Sequence, residues 1–237
     1  MSRANDPDRG FVRIGEGQIH YRKTEPATGA SDGAIPLICL HASPASSQSL
    51  IPLLQAMGDA QVTLAFDTLG NGESDPPQSP APDLAYYARA MDEACAALGH
   101  DQVHVYGNHT GAHIAIEWAI LNPDRVQRVV LDQVAVLSAA ERAEFLEHYA
   151  PPRRPDEMGT QFYWAWHFMR DQMLFAPHYK KSADTLHDKG VFDAETLHML
   201  TMDLLRGLET YHLSYRAVFE QDLAARLPLV TCPVLAT

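Results

Sequence analysis

His109 stands between two glycines, two residues away on either side, in the run Tyr106-Gly107-Asn108-His109-Thr110-Gly111-Ala112. Glycines at those offsets let a chain turn sharply from a strand into a helix where the two pass too close for a Cβ, lifting the central side chain above a sheet. Serine is the familiar occupant of such a tip, so acyl-serine chemistry is closed here. An imidazole in that place has three readings. It can attack a carbonyl or phosphoryl group to give an acyl- or phospho-imidazole that water cleaves. It can serve as a general base toward water or an acidic C–H, with a pKa near working pH. Or the turn persists for folding while the chemistry is lost.

Val103-His104-Val105-Tyr106 reads as the strand entering the turn and Ala112 to Ile120 as the helix leaving it. Further apolar strands are expected at Phe11–Ile14 and Gln18–Arg22 (a hairpin around Gly15-Glu16-Gly17), Pro36–Leu40, Val62–Phe66, Val126–Leu131 and Val234–Ala236. Helical patterns at Ser47–Met57, Asp83–Leu98 and Gly111–Leu121 lie between them, the last ending at Asn122-Pro123-Asp124. Apolar strands alternating with amphipathic helices predict the α/β class, with a mainly parallel central sheet and helices on both faces. From Ser138 to Ala225 the alternation gives way to successive helices, interrupted by Pro151-Pro152-Arg153-Arg154-Pro155. That insertion reads as a helical lid over the carboxyl edge of the sheet. Its aromatic segment Phe162–Phe168, followed by Phe175, either packs the lid's own core, the favoured reading, or faces a substrate.

A chain of 237 residues is expected to form one domain with an insertion. A net charge of −12 argues against nucleic-acid or anionic-membrane binding, both of which want Lys/Arg patches. The 12 histidines are scattered, without the spacing of a zinc site, so no metal is expected. Cys39 and Cys232 lie in apolar strand-like runs and read as buried thiols. The polar start Met1–Asp8 has no signal-peptide core and no apolar run reaches membrane-spanning length, which sets a cytoplasmic expectation.

Two more segments fall on loops at carboxyl ends of strands, where open α/β sheets bind ligands: His41-Ala42-Ser43-Pro44 and Asp67-Thr68-Leu69-Gly70-Asn71-Gly72-Glu73-Ser74. With the His109 turn and the lid, they make the chain resemble the capped α/β hydrolases, in which these loops run H-G-x-P and D-x-x-G-x-G-x-S. The resemblance extends from about Phe11 to Thr237, with Ala42 replacing the glycine of the first loop and His109 replacing the nucleophile. It implies an oxyanion hole built from the backbone N–H groups of Ser43 and Thr110, and a bracing role for the Asp67 loop. His41 is either a loop histidine bonding backbone groups or a site residue. Asp132, following Val129-Val130-Leu131, is either the catalytic acid or a loop cap. Trp164, Trp166, Phe168 and Phe175 are candidates for the substrate wall.

The family's later acid and histidine have no counterpart before Thr237, so the chain is expected to be C-terminally truncated. Residues 1–137 would form the first part of the core, 138–225 the lid and 226–237 the start of the remaining core. Such a piece is expected to be inactive alone and to aggregate or form a homodimer. The resemblance implies a hydrolase of a small apolar or aromatic ester, lactone or related carbonyl compound, acting without cofactor. The rivals are a catalytically inactive small-molecule binder and a cofactor-free lyase or oxygenase that uses a histidine base.

Overall fold

The computed structural model describes residues 6–27, 34–187 and 190–237. Met1–Asn5, on which the reading of the N-terminus partly rests, lie outside them. Strands β1 (Asp8–Ile14) and β2 (Gly17–Thr24) form the expected hairpin. β3 (Leu37–Leu40) is buried along its whole length. A 3₁₀ turn at Ser47–Leu50 then leads into α1 (Ile51–Met57), so the helix expected from Ser47 begins one turn late. The delay follows from Pro52 at the start of α1, a residue favoured in a first turn because it needs no intrahelical N–H bond. β4 (Thr63–Phe66) is followed by α2 (Leu84–Ala97), capped by the Asp83 carboxylate, which accepts from the Tyr86 N–H at 2.7 Å. β5 (Val103–Asn108), α3 (Thr110–Leu121) and β6 (Val126–Asp132) complete the central unit.

Five helices separate β6 from the last strand: α4 (Ala139–His148), α5 (Thr160–Leu174), α6 (Ala194–Arg206), α7 (Tyr211–Glu220) and α8 (Leu223–Arg226). A capping box between Ser138 and Glu141 starts the first of them. β7 (Val234–Ala236) then pairs with β6 at the sheet edge, leaving Val234 and Leu235 exposed. The seven strands run in the order β1-β2-β4-β3-β5-β6-β7, parallel from β4 to β7 and antiparallel where β2 meets β1 and β4. The class expected from the sequence, α/β with a mainly parallel sheet, is the class observed.

The main core lies where α2 and α3 cover one face of the sheet, around Ile38, Leu64, Met91, Ile114 and Trp118. α3 is buried on every side, so its sequence is apolar almost all round instead of striped. A smaller cluster under α1 covers the other face, with Cys39 at its centre. The inserted helices have a core of their own, including Phe168, Leu204 and Tyr211. Burial pushes the thiols of Cys39 and Cys95 far above their ordinary range. Cys232, expected to be buried in a strand, is only half-buried and precedes β7, because Pro233 delays the start of strand pairing.

Candidate active site

The turn from β5 into α3 leaves no space for side chains at its two glycines. A Cβ on Gly107 would stand 2.3 Å from the Gly111 carbonyl oxygen, and one on Gly111 would stand 2.2 Å from the Leu40 oxygen. His109 at the tip has φ 45° and ψ −111°, one of two non-glycine residues with positive φ among those described. Its N–H donates to the Asp132 carbonyl at 2.9 Å and its own carbonyl accepts from Ala112 at 2.9 Å, so hydrogen bonds on both sides hold the strained tip.

His109 lines two adjoining cavities between the sheet edge and the inserted helices, of about 210 Å³ and about 510 Å³. Ser43, Gln133, Tyr149 and Gln172 also belong to both. Thr110, the first residue of α3, joins them in the smaller cavity. The Ser43 N–H donates to the Thr110 hydroxyl across a long 3.3 Å, so the two residues expected to supply the oxyanion donors are in contact, with the Ser43 donor engaged by that hydroxyl. The Ser43 loop is pinned to α7: the Tyr215 hydroxyl donates to the Ser43 carbonyl at 2.6 Å, and the Ser43 and Ser214 hydroxyls are 2.7 Å apart.

His41 lines neither cavity. Its Nδ1–H donates to the Ala42 carbonyl at 2.8 Å and its Nε2 accepts from the Thr68 N–H at 3.1 Å. Both ring nitrogens are used in joining the loops after β3 and β4, so of its two readings the bracing one matches the geometry. Asp132 is not among the residues lining either cavity, although Gln133 beside it lines both and Asn108 lines the larger. Its carboxylate accepts from the Tyr106 hydroxyl at 2.6 Å, from Asn108 Nδ2 at 2.9 Å and from the Thr237 hydroxyl at 3.2 Å. These bonds make it a clamp beneath the elbow. Asp67 behaves as the loop brace expected of it, accepting from the Ser47 N–H at 2.6 Å, the Glu73 N–H at 2.9 Å and His20 Nδ1 at 2.8 Å. Burial alone would raise its pKa, but these hydrogen bonds and the nearby His41 outweigh burial and hold it at about 2.

The aromatic wall is real but is made by residues other than the expected ones. Trp164, Trp166, Phe168 and Phe175 line neither cavity. Trp164 and Phe168 pack on each other and on Tyr211, with ring centroids 5.0–5.6 Å apart, and Trp166 adjoins the same cluster. Phe175 lies beyond α5, bridged to Leu186. The face of α5 that carries Trp164 and Phe168 turns into the insertion's own core. The smaller cavity is walled instead by Phe145, Tyr149, Tyr215 and Phe219, two i,i+4 pairs of which only Tyr149 falls just outside a helix. The larger cavity is walled by Met169, Met173, Met199 and Leu200.

Sequence reasoning also missed His113, one turn along α3 from the tip. It is buried, and it lines the smaller cavity with His109. The i,i+4 spacing from His109 was the available signal. Burial, reinforced by the neighbouring His109, holds its pKa below the usual range despite a hydrogen bond from its ring to Gln221. Among the described residues no group of three or more His, Cys, Asp or Glu side chains is arranged to hold a metal ion, and no helix is long and apolar enough to cross a membrane.

Comparison with known proteins accords with this architecture. A 2-hydroxy-6-oxononadienedioate/2-hydroxy-6-oxononatrienedioate hydrolase from Paraburkholderia xenovorans is 33% identical over 132 residues, covering 51% of this chain and 43% of that protein. A proline iminopeptidase from Heyndrickxia coagulans is 27% identical over 122 residues, covering 51% of this chain and 41% of that protein. The match thus spans less than half the length of these relatives. The crystal structure of epoxide hydrolase A from Mycobacterium thermoresistibile superposes with a TM-score of 0.74 at 19% identity, over 97% of this chain and 81% of that one. The sequence profile of the alpha/beta hydrolase fold matches residues 35–188, more than half of the chain. By its elbow, its strand order and that match, the chain belongs to the α/β-hydrolase family.

Proposed function

We propose that the protein is a hydrolase of a small, neutral ester, lactone or related carbonyl compound, with His109 as the nucleophile and residues 138–225 as a lid. The observation that carries this reading is the position of His109, held at a strained tip on the wall shared by two cavities, with Ser43 and Thr110 beside it. Attack by a ring nitrogen on the carbonyl carbon would place the developing oxyanion toward the Thr110 N–H and toward the Ser43 N–H, displacing the Thr110 hydroxyl from the latter. Thr110 also opens α3, where the helix dipole favours negative charge. Collapse expels the alcohol and leaves an acyl-imidazole, which water hydrolyses. That the matched relatives bear hydrolase and peptidase names supports the reaction class.

Neutrality of the substrate follows from the walls. Among the described residues, no Lys, Arg, Asp or Glu lines either cavity. A substrate carboxylate bound away from the oxyanion corner would be buried there with no described cationic side chain to pair with, at a cost of several kcal/mol. The dienedioates named for the first relative are dicarboxylates. This site suits an uncharged compound with an apolar portion reaching the methionine-rich cavity.

Turnover of p-nitrophenyl esters of increasing acyl length, with and without His109→Ala, tests the proposal. A loss of about 10²-fold or more in kcat/KM is expected for the variant. An unchanged rate would overturn the role of His109. Ligand-induced stabilisation without turnover would favour a binding protein, and action on acidic C–H compounds but not on esters would favour a lyase.

A further inference from the structure

The smaller cavity contains a second histidine whose ring is fixed by a chain of side chains that the acyl-transfer reading does not use. His113 Nδ1 lies 2.6 Å from Gln221 Oε1. Gln221 Nε2 donates to Glu117 Oε1 at 2.7 Å. Arg226 in turn grips both oxygens of Glu117, Nε to Oε1 at 2.8 Å and a terminal nitrogen to Oε2 at 2.6 Å. The direction of this chain follows from chemistry. A carboxylate paired with a guanidinium only accepts, so the Gln221 amide must turn its NH₂ to Glu117 and its oxygen to His113. The His113 nitrogen facing that oxygen must then carry the proton. The other ring nitrogen, Nε2, is left as the acceptor on a residue that lines the cavity with His109.

The links come from three parts of the fold. His113 and Glu117 are successive turns of α3, Gln221 ends α7 and Arg226 ends α8. A core histidine needing only one satisfied nitrogen would not require a relay spanning three helices. The titratable groups around His113 are His109 and Glu117 on its own helix, with Arg226 reached through Glu117 and the tyrosines Tyr149 and Tyr215 across the cavity.

We infer that His113 is a second catalytic residue, the general base that activates the water hydrolysing acyl-His109, and that Gln221 is the positioning residue that fixes its tautomer. The inference rests on the acyl-His109 reading above. In this step the water oxygen bonds to the acyl carbon while one water proton passes to His113 Nε2. The bond between the acyl carbon and the His109 nitrogen then breaks, with the electron pair returning to the imidazole. The carboxylic acid product leaves, and the proton taken up by His113 passes through solvent to the departing His109 nitrogen, so that both rings end neutral. No oxidant or other co-reactant is needed.

Rapid mixing of the protein with p-nitrophenyl acetate separates the two steps, because p-nitrophenolate leaves on acylation. His113→Gln should release about one equivalent of p-nitrophenolate in a burst and then turn over at least 10-fold more slowly than the wild type. Gln221→Met leaves His113 in place and tests its orientation. While His109 is acylated it does not titrate, so the acid limb of the post-burst rate reports His113. Loss of the Gln221 acceptor should move that limb to lower pH, because the bond to Gln221 favours the protonated ring. A His113→Gln variant with wild-type post-burst rate, or one that loses burst and turnover together while its unfolding transition is unchanged, would overturn the assignment. So would a Gln221→Met variant with an unshifted limb. A His109→Ala variant that keeps its burst would instead refute the acyl-His109 reading itself.

Discussion

At the scale of single residues, the informative quantity is the backbone at His109. A φ of 45° with ψ of −111° is close to the first central position of a type II′ turn, where glycine is at ease and any Cβ is strained. If the strain is borne for the sake of the imidazole, removing the Cβ should stabilise the fold as it abolishes the chemistry. Comparing His109→Gly with His109→Ala isolates the backbone contribution, since both lack the ring. The glycine variant is expected to be the more stable by about 1 kcal/mol, which for a chain of this size raises Tm by about 2–4 °C. Equal Tm values for the two variants would show that the tip is relaxed. The His109 position was legible because the glycine frame reports a close approach of backbone that no other residue satisfies. His113 was not, since a histidine on a helix buried all round looks like core until its partners on α7 and α8 are known.

At the scale of elements, the loops after β3 and β4 hold the site by buried polar contacts, and Asp67 is the most heavily used of them. Its pKa is about 2 in the folded protein, against an ordinary value of 3.8. A carboxylate whose folded pKa is depressed contributes stability that is present in full above the unfolded value and lost as pH falls through the folded one. That contribution is about 2 kcal/mol at neutral pH, and it is lost progressively as pH falls from about 5 to about 1. Asp67→Asn should lower stability at pH 7 and flatten the pH dependence in that window, as read from urea midpoints across the acid range. A variant with the wild-type slope would place the acid sensitivity elsewhere. The Asp67 loop was visible in the sequence as a glycine-rich turn after an apolar strand. The orientation of the inserted helices was not. Helical spacing marks Trp164 and Phe168 as sharing a face, and likewise Tyr215 and Phe219, but only the packing decides that the first pair turns inward and the second toward His109.

At the scale of the whole molecule, charge and cavity point the same way. The chain carries a net charge of −12, and among the described residues the two cavities beside His109 have uncharged walls. An anionic substrate meets repulsion on approach and loses its hydration without a partner on arrival, whereas a neutral one meets neither. The two effects separate experimentally because salt screens only the first, over a Debye length of about 10 Å at 0.1 M. Consider two p-nitrophenyl esters of equal acyl length, one ending in a methyl group and the other in a carboxylate. The neutral ester should be favoured in kcat/KM by more than about 10-fold, since even 1.4 kcal/mol of unrecovered desolvation amounts to that factor. Raising ionic strength from about 0.02 M to about 0.5 M should improve kcat/KM for the carboxylate ester, leave the neutral ester unchanged and narrow the gap without closing it. The part that survives high salt measures burial in the cavity, and the part that disappears measures the field of the molecule. Equal handling of the two esters at any ionic strength would mean that a cation reaches the substrate, and the uncharged cavity would not be where it binds.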